Sequence, residues 1–270
     1  MSYHQILVGT DGSATASRAV VAASRVAVSL AVPLIVATAW SRHQPDPPAL
    51  SDEDASPVGT EAQWATDTTT DAAAIGRREG VEDVRQVQPI GRPAESLLKL
   101  AEEHPDALLV VGTYGLTKAT ERLVGNVPHA LTHHSPVDLL LTTAGDDPAW
   151  ASAAIATDGS PTAAHAVVRG LELAGPLGAR PTLLTVARDE EEGRNLLERV
   201  AAEIPGAADA ERRVAVGGDV AKGLGEASAD YDLLVIGNKG MSGPSRLLGS
   251  VANRVTHHVP TDLLLVNTTR

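Results

Sequence analysis

Cysteine and phenylalanine are both absent from the 270 residues, and aromatic side chains of all kinds make up only 2% of them. The first absence removes disulfides, thiolate metal sites and cysteine nucleophiles together, and it fits a reducing compartment. The second leaves the core to Ala, Val, Leu and Ile. Basic residues are also scarce: 22 Lys and Arg face 34 Asp and Glu, for a net charge of −12. A polyanion is bound by stripes of Lys and Arg, so no nucleic-acid partner is expected. Long apolar runs are missing too. Arg25–Trp40 is almost free of charge, but it is shorter than the ~20 residues of a membrane span, and Pro33 divides it. The opening MSYHQILVGTDGS has neither a basic n-region nor a long apolar h-region. No signal peptide, no membrane segment and a cytoplasmic location are expected.

Several catalytic signatures are missing as well. No Gly is followed by Lys, which excludes the phosphate loop G-x-x-x-x-G-K-[ST]. H-x-G-H and S-G-G-x-D-S, which mark adenylyl transfer and ATP pyrophosphatases, do not occur. Neither G-x-S-x-G nor H-E-x-x-H is present, so hydrolase-elbow and zincin chemistry are not supported.

What is present is one stretch that occurs twice. It runs from Asp106 to Thr143, and returns from Asp232 to Asn267. Each copy reads as a buried apolar strand, a Gly-marked turn, a loop, a further Gly, a short helix and a second apolar strand. The repeat divides the chain into two expected domains, 1–145 and 150–270. In the first, strands are read at Gln5–Gly9, Pro33–Ala39 and Val84–Ile90, with helices to about Leu30, over Glu61–Gly80 and from Pro93 to about Glu103. Ser41–Thr60, with Pro45, Pro47, Pro48 and Pro57, reads as an unordered excursion, and Asp146–Pro148 as a linker. In the second, strands are read at Ala153–Thr157, Pro181–Val186 and Arg212–Val216. Helices are read to about Ala174, over Glu190–Ile204 and from about Val220. This alternation of unbroken apolar strands and helices implies parallel sheets with helices on both faces. Ligands of such sheets sit at the carboxyl ends of the strands, where strand order reverses. Both Gly-marked turns, after the first and fourth strands of each half, are at such ends.

The turns have a chemistry. Gly112-x-x-Gly115 and Gly237-x-x-Gly240 let the backbone turn tightly and approach a ligand. Gly125-Asn126 and Gly249-Ser250 then open a helix, whose first N–H groups and positive dipole end attract an anion. Recurrence after equivalent strands favours phosphate over plain turn glycines. Asp11 and Asp158, in the Thr-Asp-Gly-Ser turns, can accept from an amino group or a ribose hydroxyl, or simply bond their own backbone. His133-His134 and His257-His258 are read as helix-end residues, since adjacent helical positions point about 100° apart and share no metal face.

These residues resemble the universal stress protein family over nearly the whole chain, as two tandem copies. The likeness rests on Gly9-TDGS-Ser13, Gly91-RPAESLL-Leu98, Gly112-TYG-Gly115, the RLVG and RLLG segments and Val137-DLLL-Leu141. The resemblance implies an α/β fold of two doubly wound, Rossmann-like domains, each a five-stranded parallel sheet of order 3-2-1-4-5. It implies pairing through the fifth strand, here between the halves as a pseudo-dimer, with a homodimer left open. It also implies an adenine nucleotide ligand, ATP or cyclic AMP, with Mg²⁺ accompanying ATP, and the first half is most similar to the cyclic-AMP-binding type. Carried over, the base is expected at Thr10, Asp11 and Ala39, and at Thr157, Asp158 and Val186. Ribose and phosphates are expected over Gly112, Gly115, Gly125, Asn126 and Val127, and over Gly237, Gly240, Gly249, Ser250 and Val251. Each half departs once from the family's G-x2-G-x9-G-[ST] pattern. The first has Asn126 in place of Ser or Thr, and the second has an eight-residue spacer containing Pro244. The expectation is a nucleotide-binding regulatory protein and not an enzyme beyond slow incidental hydrolysis. A weak metal-dependent ATPase and a non-binding interaction module are the alternatives.

Overall fold

The computed structural model describes residues 3–41, 58–113, 126–143, 149–238, 249–256 and 259–268. The first half runs β1 (Gln5–Gly9), α1 (Ala14–Leu30), β2 (Leu34–Ala37), α2 (Val58–Arg78), β3 (Val84–Val87), α3 (Pro93–Glu103), β4 (Ala107–Gly112), α4 (Asn126–His134) and β5 (Asp138–Thr142). The second runs β6 (Ser152–Ala156), α5 (Pro161–Leu177), β7 (Arg180–Ala187), α6 (Glu190–Glu203), β8 (Glu211–Val216), α7 (Val220–Ser228), β9 (Leu233–Gly237), α8 (Ser250–Thr256) and β10 (Asp262–Val266).

Strand order is β3-β2-β1-β4-β5-β10-β9-β6-β7-β8. Each half therefore has the expected order 3-2-1-4-5, with parallel neighbours throughout. The halves do not keep separate sheets. β5 pairs antiparallel with β10, Leu263 opposite Leu141 and Leu265 opposite Leu139, to give one ten-stranded sheet. An Asp-Leu-Leu-Leu strand left as an edge would expose apolar side chains and unpaired amides, and each covers the other.

The apolar strands are buried on both faces, and the period of two sorts their side chains. Ile6, Val8, Leu108, Val110, Leu140 and Leu264 meet the layer of α1, α2, α5 and α6. Leu7, Leu109, Val111, Leu139, Leu141, Leu263 and Leu265 meet the layer of α3, α4, α7 and α8. Alanines on α1 (Ala19, Ala22, Ala23) let that helix lie close to the sheet without aromatic filling.

Helix ends follow their caps. Ser13 and Ser160 accept from the amides of Ala16 and Ala163, and α6 starts at Asp189, which accepts from Glu192 N. Each fills one of the donors that a helix start leaves open. The sequence reading ends the α5 helix near Ala174, but it continues to Leu177. Pro176 lies in its last turn, where one intrahelical bond is lost, and Gly178 closes the helix at φ 69°. The excursion expected over Ser41–Thr60 falls largely on residues 42–57, outside the described residues, while α2 already begins at Val58. The expected linker Asp146–Pro148 is likewise outside them. Among the described residues, no helix is long and apolar enough to cross a membrane.

The seam between the halves is polar as well as apolar. Asp262, 1% exposed, accepts from Thr143 N (2.8 Å), Thr143 Oγ1 (3.0 Å), Trp150 Nε1 (2.9 Å) and Arg18 Nη1 (2.8 Å). Its counterpart Asp138 accepts from Asn267 N (2.7 Å) and Tyr3 Oη (2.8 Å), with Arg169 Nε at 3.3 Å. Each carboxylate thus ties off the amide just beyond the neighbouring half's fifth strand, and buried charge is matched by donors.

Candidate functional site

The two Thr-Asp-Gly-Ser turns fold alike. In the first half Gly12 N donates to Thr10 Oγ1 (3.2 Å) and Ser13 N to Asp11 Oδ1 (3.0 Å). In the second, Gly159 N donates to Thr157 Oγ1 (3.1 Å) and Ser160 N to Asp158 Oδ1 (2.9 Å). Gly12 and Gly159 have φ of 77° and 73°, conformations that favour glycine. Thr10 N and Thr157 N bond back to the carbonyls of Ala37 and Leu184, which fixes each turn to the neighbouring strand. The turn-forming role of Asp11 and Asp158 is therefore real. It employs Oδ1 of each carboxylate.

In the second half the turn opens on a cavity of about 200 Å³. Its floor is Ala156, Thr157, Ile236 and Gly237, at the carboxyl ends of β6 and β9. Thr185 and Val186 of β7 form one side, and Asp158, Ser160 and Ala163 another. Val220 and Leu224 of α7 face Val251 and Ala252 of α8 across it. Val220 and Val251, 41% and 37% exposed, are thus apolar side chains held open at a rim. Among the described lining residues, Asp158 is the sole ionisable one.

The two helices that wall the cavity are bridged. Asp219, the N-cap of α7, accepts from Lys222 N (3.2 Å) and from Arg254 Nη2 of α8 (2.6 Å). The Arg254 guanidinium holds the Asp219 carboxyl below its usual range, and the carboxylate in turn raises the guanidinium. In the first half the corresponding positions are Arg92 and Ala130, which cannot form that bridge.

The structure brings together Thr157, Asp158, Val186, Gly237 and Val251 of the expected residues around this cavity. Ser250 opens α8 and is exposed, and it does not line the cavity. Gly249 N donates to Asn238 O (2.8 Å), so that amide ties α8 to the end of β9. In the first half Thr10, Asp11 and Gly112 lie at the ends of β1 and β4, Ala39 just beyond β2, and Asn126 and Val127 in the first turn of α4. Gly115, Gly125 and Gly240 fall outside the described residues. Gly112 has a structural reason of its own: a Cβ there would stand 2.9 Å from Thr15 O and 3.0 Å from Thr15 C, both backbone atoms of α1.

Sequence reasoning missed the α7 wall, Val220 and Leu224, although the apolar spacing of four was available. It also missed Asn238, whose Oδ1 accepts from Thr268 N and Oγ1 (both 3.1 Å). For histidine it considered adjacent pairs, whereas His129 and His133, one turn apart, bring their ring centroids to 4.8 Å. His133 and His134 do end α4, and His257-His258 lies outside the described residues. Among the described residues, no group of three or more metal-ligating side chains occurs.

Known proteins match this chain in sequence and in fold. The model of the universal stress protein family matches residues 2–143 and 190–267. A universal stress protein of Mycobacterium tuberculosis is 34% identical over 143 residues, which are 52% of this chain and 96% of the relative. The crystal structure of a universal stress protein from Archaeoglobus fulgidus superimposes over 99% of this chain and 100% of its own, with a TM-score of 0.77 at 19% identity. A universal stress protein solved in complex with cyclic AMP aligns with 53% of this chain and 98% of its own, at 33% identity and a TM-score of 0.42.

Proposed function

The chain belongs to the universal stress protein family, and from that premise we propose that it is a cytoplasmic regulatory protein that binds an adenine nucleotide, ATP or cyclic AMP. The observation that carries the reading is the second-half cavity. It lies at the carboxyl ends of β6 and β9, where strand order reverses, and its walls are apolar with one carboxylate at the edge. At about 200 Å³ it is smaller than the ~300–1,000 Å³ of a complete small-molecule pocket. It therefore takes the flat, largely apolar base, while ribose and phosphates lie outward over Gly237, Gly240, Gly249, Ser250 and Val251. Asp158 accepts from the base amino group or a ribose hydroxyl. The exposed faces of Val220 and Val251 are what the base covers.

The first half, as a domain over 1–145, offers a second cradle of the same plan. Thr10, Asp11 and Ala39 meet the base, and Gly112, Gly115, Gly125, Asn126 and Val127 meet ribose and phosphates. Both turns have the same hydrogen bonds, which supports a common ligand class. The second domain spans 150–270. The reading is binding without appreciable turnover, and it is supported by Asp158 being the sole ionisable group among the described lining residues, with no partner there for an acid–base pair. Mg²⁺ accompanies ATP on its own phosphates and water.

Equilibrium dialysis with ATP–Mg²⁺ and with cyclic AMP, run beside a phosphate-release assay, tests the proposal. Retention of one nucleotide without matching phosphate release is expected. Release that scales with the chain and disappears in Leu224→Trp, which fills the cavity, would make it an ATPase. No retention of either ligand at millimolar concentration would leave an interaction module.

A further inference from the structure

α4 carries histidine at two positions one helical turn apart, a pair that the repeat does not keep. With Asn126 at Ser250, Asn253 of α8 takes the position of His129, while His257 answers His133. The helix that bears the pair is anchored. It buries Pro128, Leu131 and Thr132, and Thr132 Oγ1 donates to His129 O (2.7 Å). Residues four apart lie on one face of a helix, and here His129 is exposed and His133 half-buried. Their ring centroids are 4.8 Å apart, with 43° between the planes. His134 stands further off, its centroid 6.2 Å from that of His133.

Two histidines at i and i+4 on one helix face can ligate a single metal ion. A metal ~2.1 Å from a ring nitrogen lies ~3.2 Å from the centre of that ring. Centroids 4.8 Å apart then subtend about 100° at the metal, between the ~90° of a tetragonal site and the ~109° of a tetrahedral one. The outer torsion of histidine is broad, so each ring can direct one nitrogen to that point. A ligating imidazole uses one nitrogen for the metal and keeps the other for a hydrogen-bond partner. We propose that His129 and His133 form a two-histidine chelate for a divalent late transition metal, copper(II) in preference to nickel(II) or zinc(II). Among the described residues no third ligating side chain joins them, so water completes the coordination. With two imidazoles and water, affinity follows the general order of these ions, which peaks at copper. The pair shares no residue with the second-half cavity, and its occupation does not depend on the proposed nucleotide.

Equilibrium dialysis of the tag-free full chain against the chlorides of copper(II), nickel(II) and zinc(II), with bound metal counted by atomic absorption, tests it. His129→Gln and His133→Gln should each lose one equivalent of copper(II) relative to wild type, because one imidazole alone makes no chelate. His165→Gln, which removes an exposed histidine of α5, should retain the wild-type complement. Far-ultraviolet circular dichroism checks that the variants fold, and the exposed position of His129 makes His129→Gln the safer of the two. The proposal is overturned if no metal is retained at millimolar concentration, or if zinc(II) or nickel(II) is held more tightly than copper(II). It is equally overturned if His129→Gln keeps the full complement at wild-type affinity, or if His165→Gln loses the same equivalent.

Discussion

Asp262→Ala should be among the most damaging single substitutions in this chain, and more damaging than the equivalent Asp138→Ala. Asp262 is 1% exposed and accepts from Arg18, Trp150 and both the amide and hydroxyl of Thr143. Truncation leaves the Arg18 guanidinium, 12% exposed, without the carboxylate that compensates it. Breaking a buried pair in this way costs about 3–5 kcal/mol, a large part of the ~5–15 kcal/mol that stabilises an ordinary domain. Asp138→Ala releases Arg169, which is 30% exposed and keeps Glu172. It loses chiefly the bonds from Tyr3 and Asn267, and should cost about 1–3 kcal/mol. Urea unfolding of the full chains, followed by far-ultraviolet circular dichroism, measures both. If Asp262→Ala lies within about 0.5 kcal/mol of wild type, the range of ordinary surface changes, the seam carboxylate does not hold the halves together.

Gly112→Val should destabilise the fold by about 1–3 kcal/mol, since its Cβ meets the Thr15 backbone. A lowered melting temperature before any ligand is added would show it, and would mean that lost binding in that variant reports packing. Ser160→Ala removes the side chain that accepts from Ala163 N and should cost about 1 kcal/mol, read from the urea midpoint. Burial, and then the charge and hydrogen bond of Asp138, push the Tyr3 phenol well above its usual value of about 10. The folded state thus holds this proton more tightly than the unfolded chain. Its contribution is fully present below pH about 10 and is lost as pH rises toward the folded value. Tyr3→Phe should lack that alkaline component, which urea midpoints at pH 8 and pH 11 compare.

The strands of each half were legible because they are unbroken apolar runs set between capped helices, whereas their order 3-2-1-4-5 followed from the resemblance. Gln5–Gly9 is a strand with those bounds, and the second half repeats the plan. The fusion into one sheet was less visible. Pairing of fifth strands follows from the resemblance alone, and the signal that would have placed it, an Asp heading each Leu-Leu-Leu strand, looks like an ordinary polar strand start. The donors to those carboxylates, Arg18, Tyr3, Thr143, Trp150 and Asn267, lie up to 244 positions away, beyond any local pattern. The Thr-Asp-Gly-Ser turns were read correctly as turns since Gly and Asp fix such geometry locally. Val220 and Leu224 were not read as a cavity wall, because helical spacing marks a buried face without saying what it faces.

The most direct test of the nucleotide reading is calorimetric titration of wild type and Val251→Glu with ATP–Mg²⁺ and with cyclic AMP. Val251 is half-exposed at the cavity rim, so a carboxylate there can turn outward in the free protein yet crowds and repels an entering nucleotide. Wild type should bind one of the two ligands, and the variant should lose one equivalent with an unchanged circular dichroism spectrum. Absence of heat with both ligands, or the same stoichiometry and affinity in the variant, would contradict the assignment of this cavity.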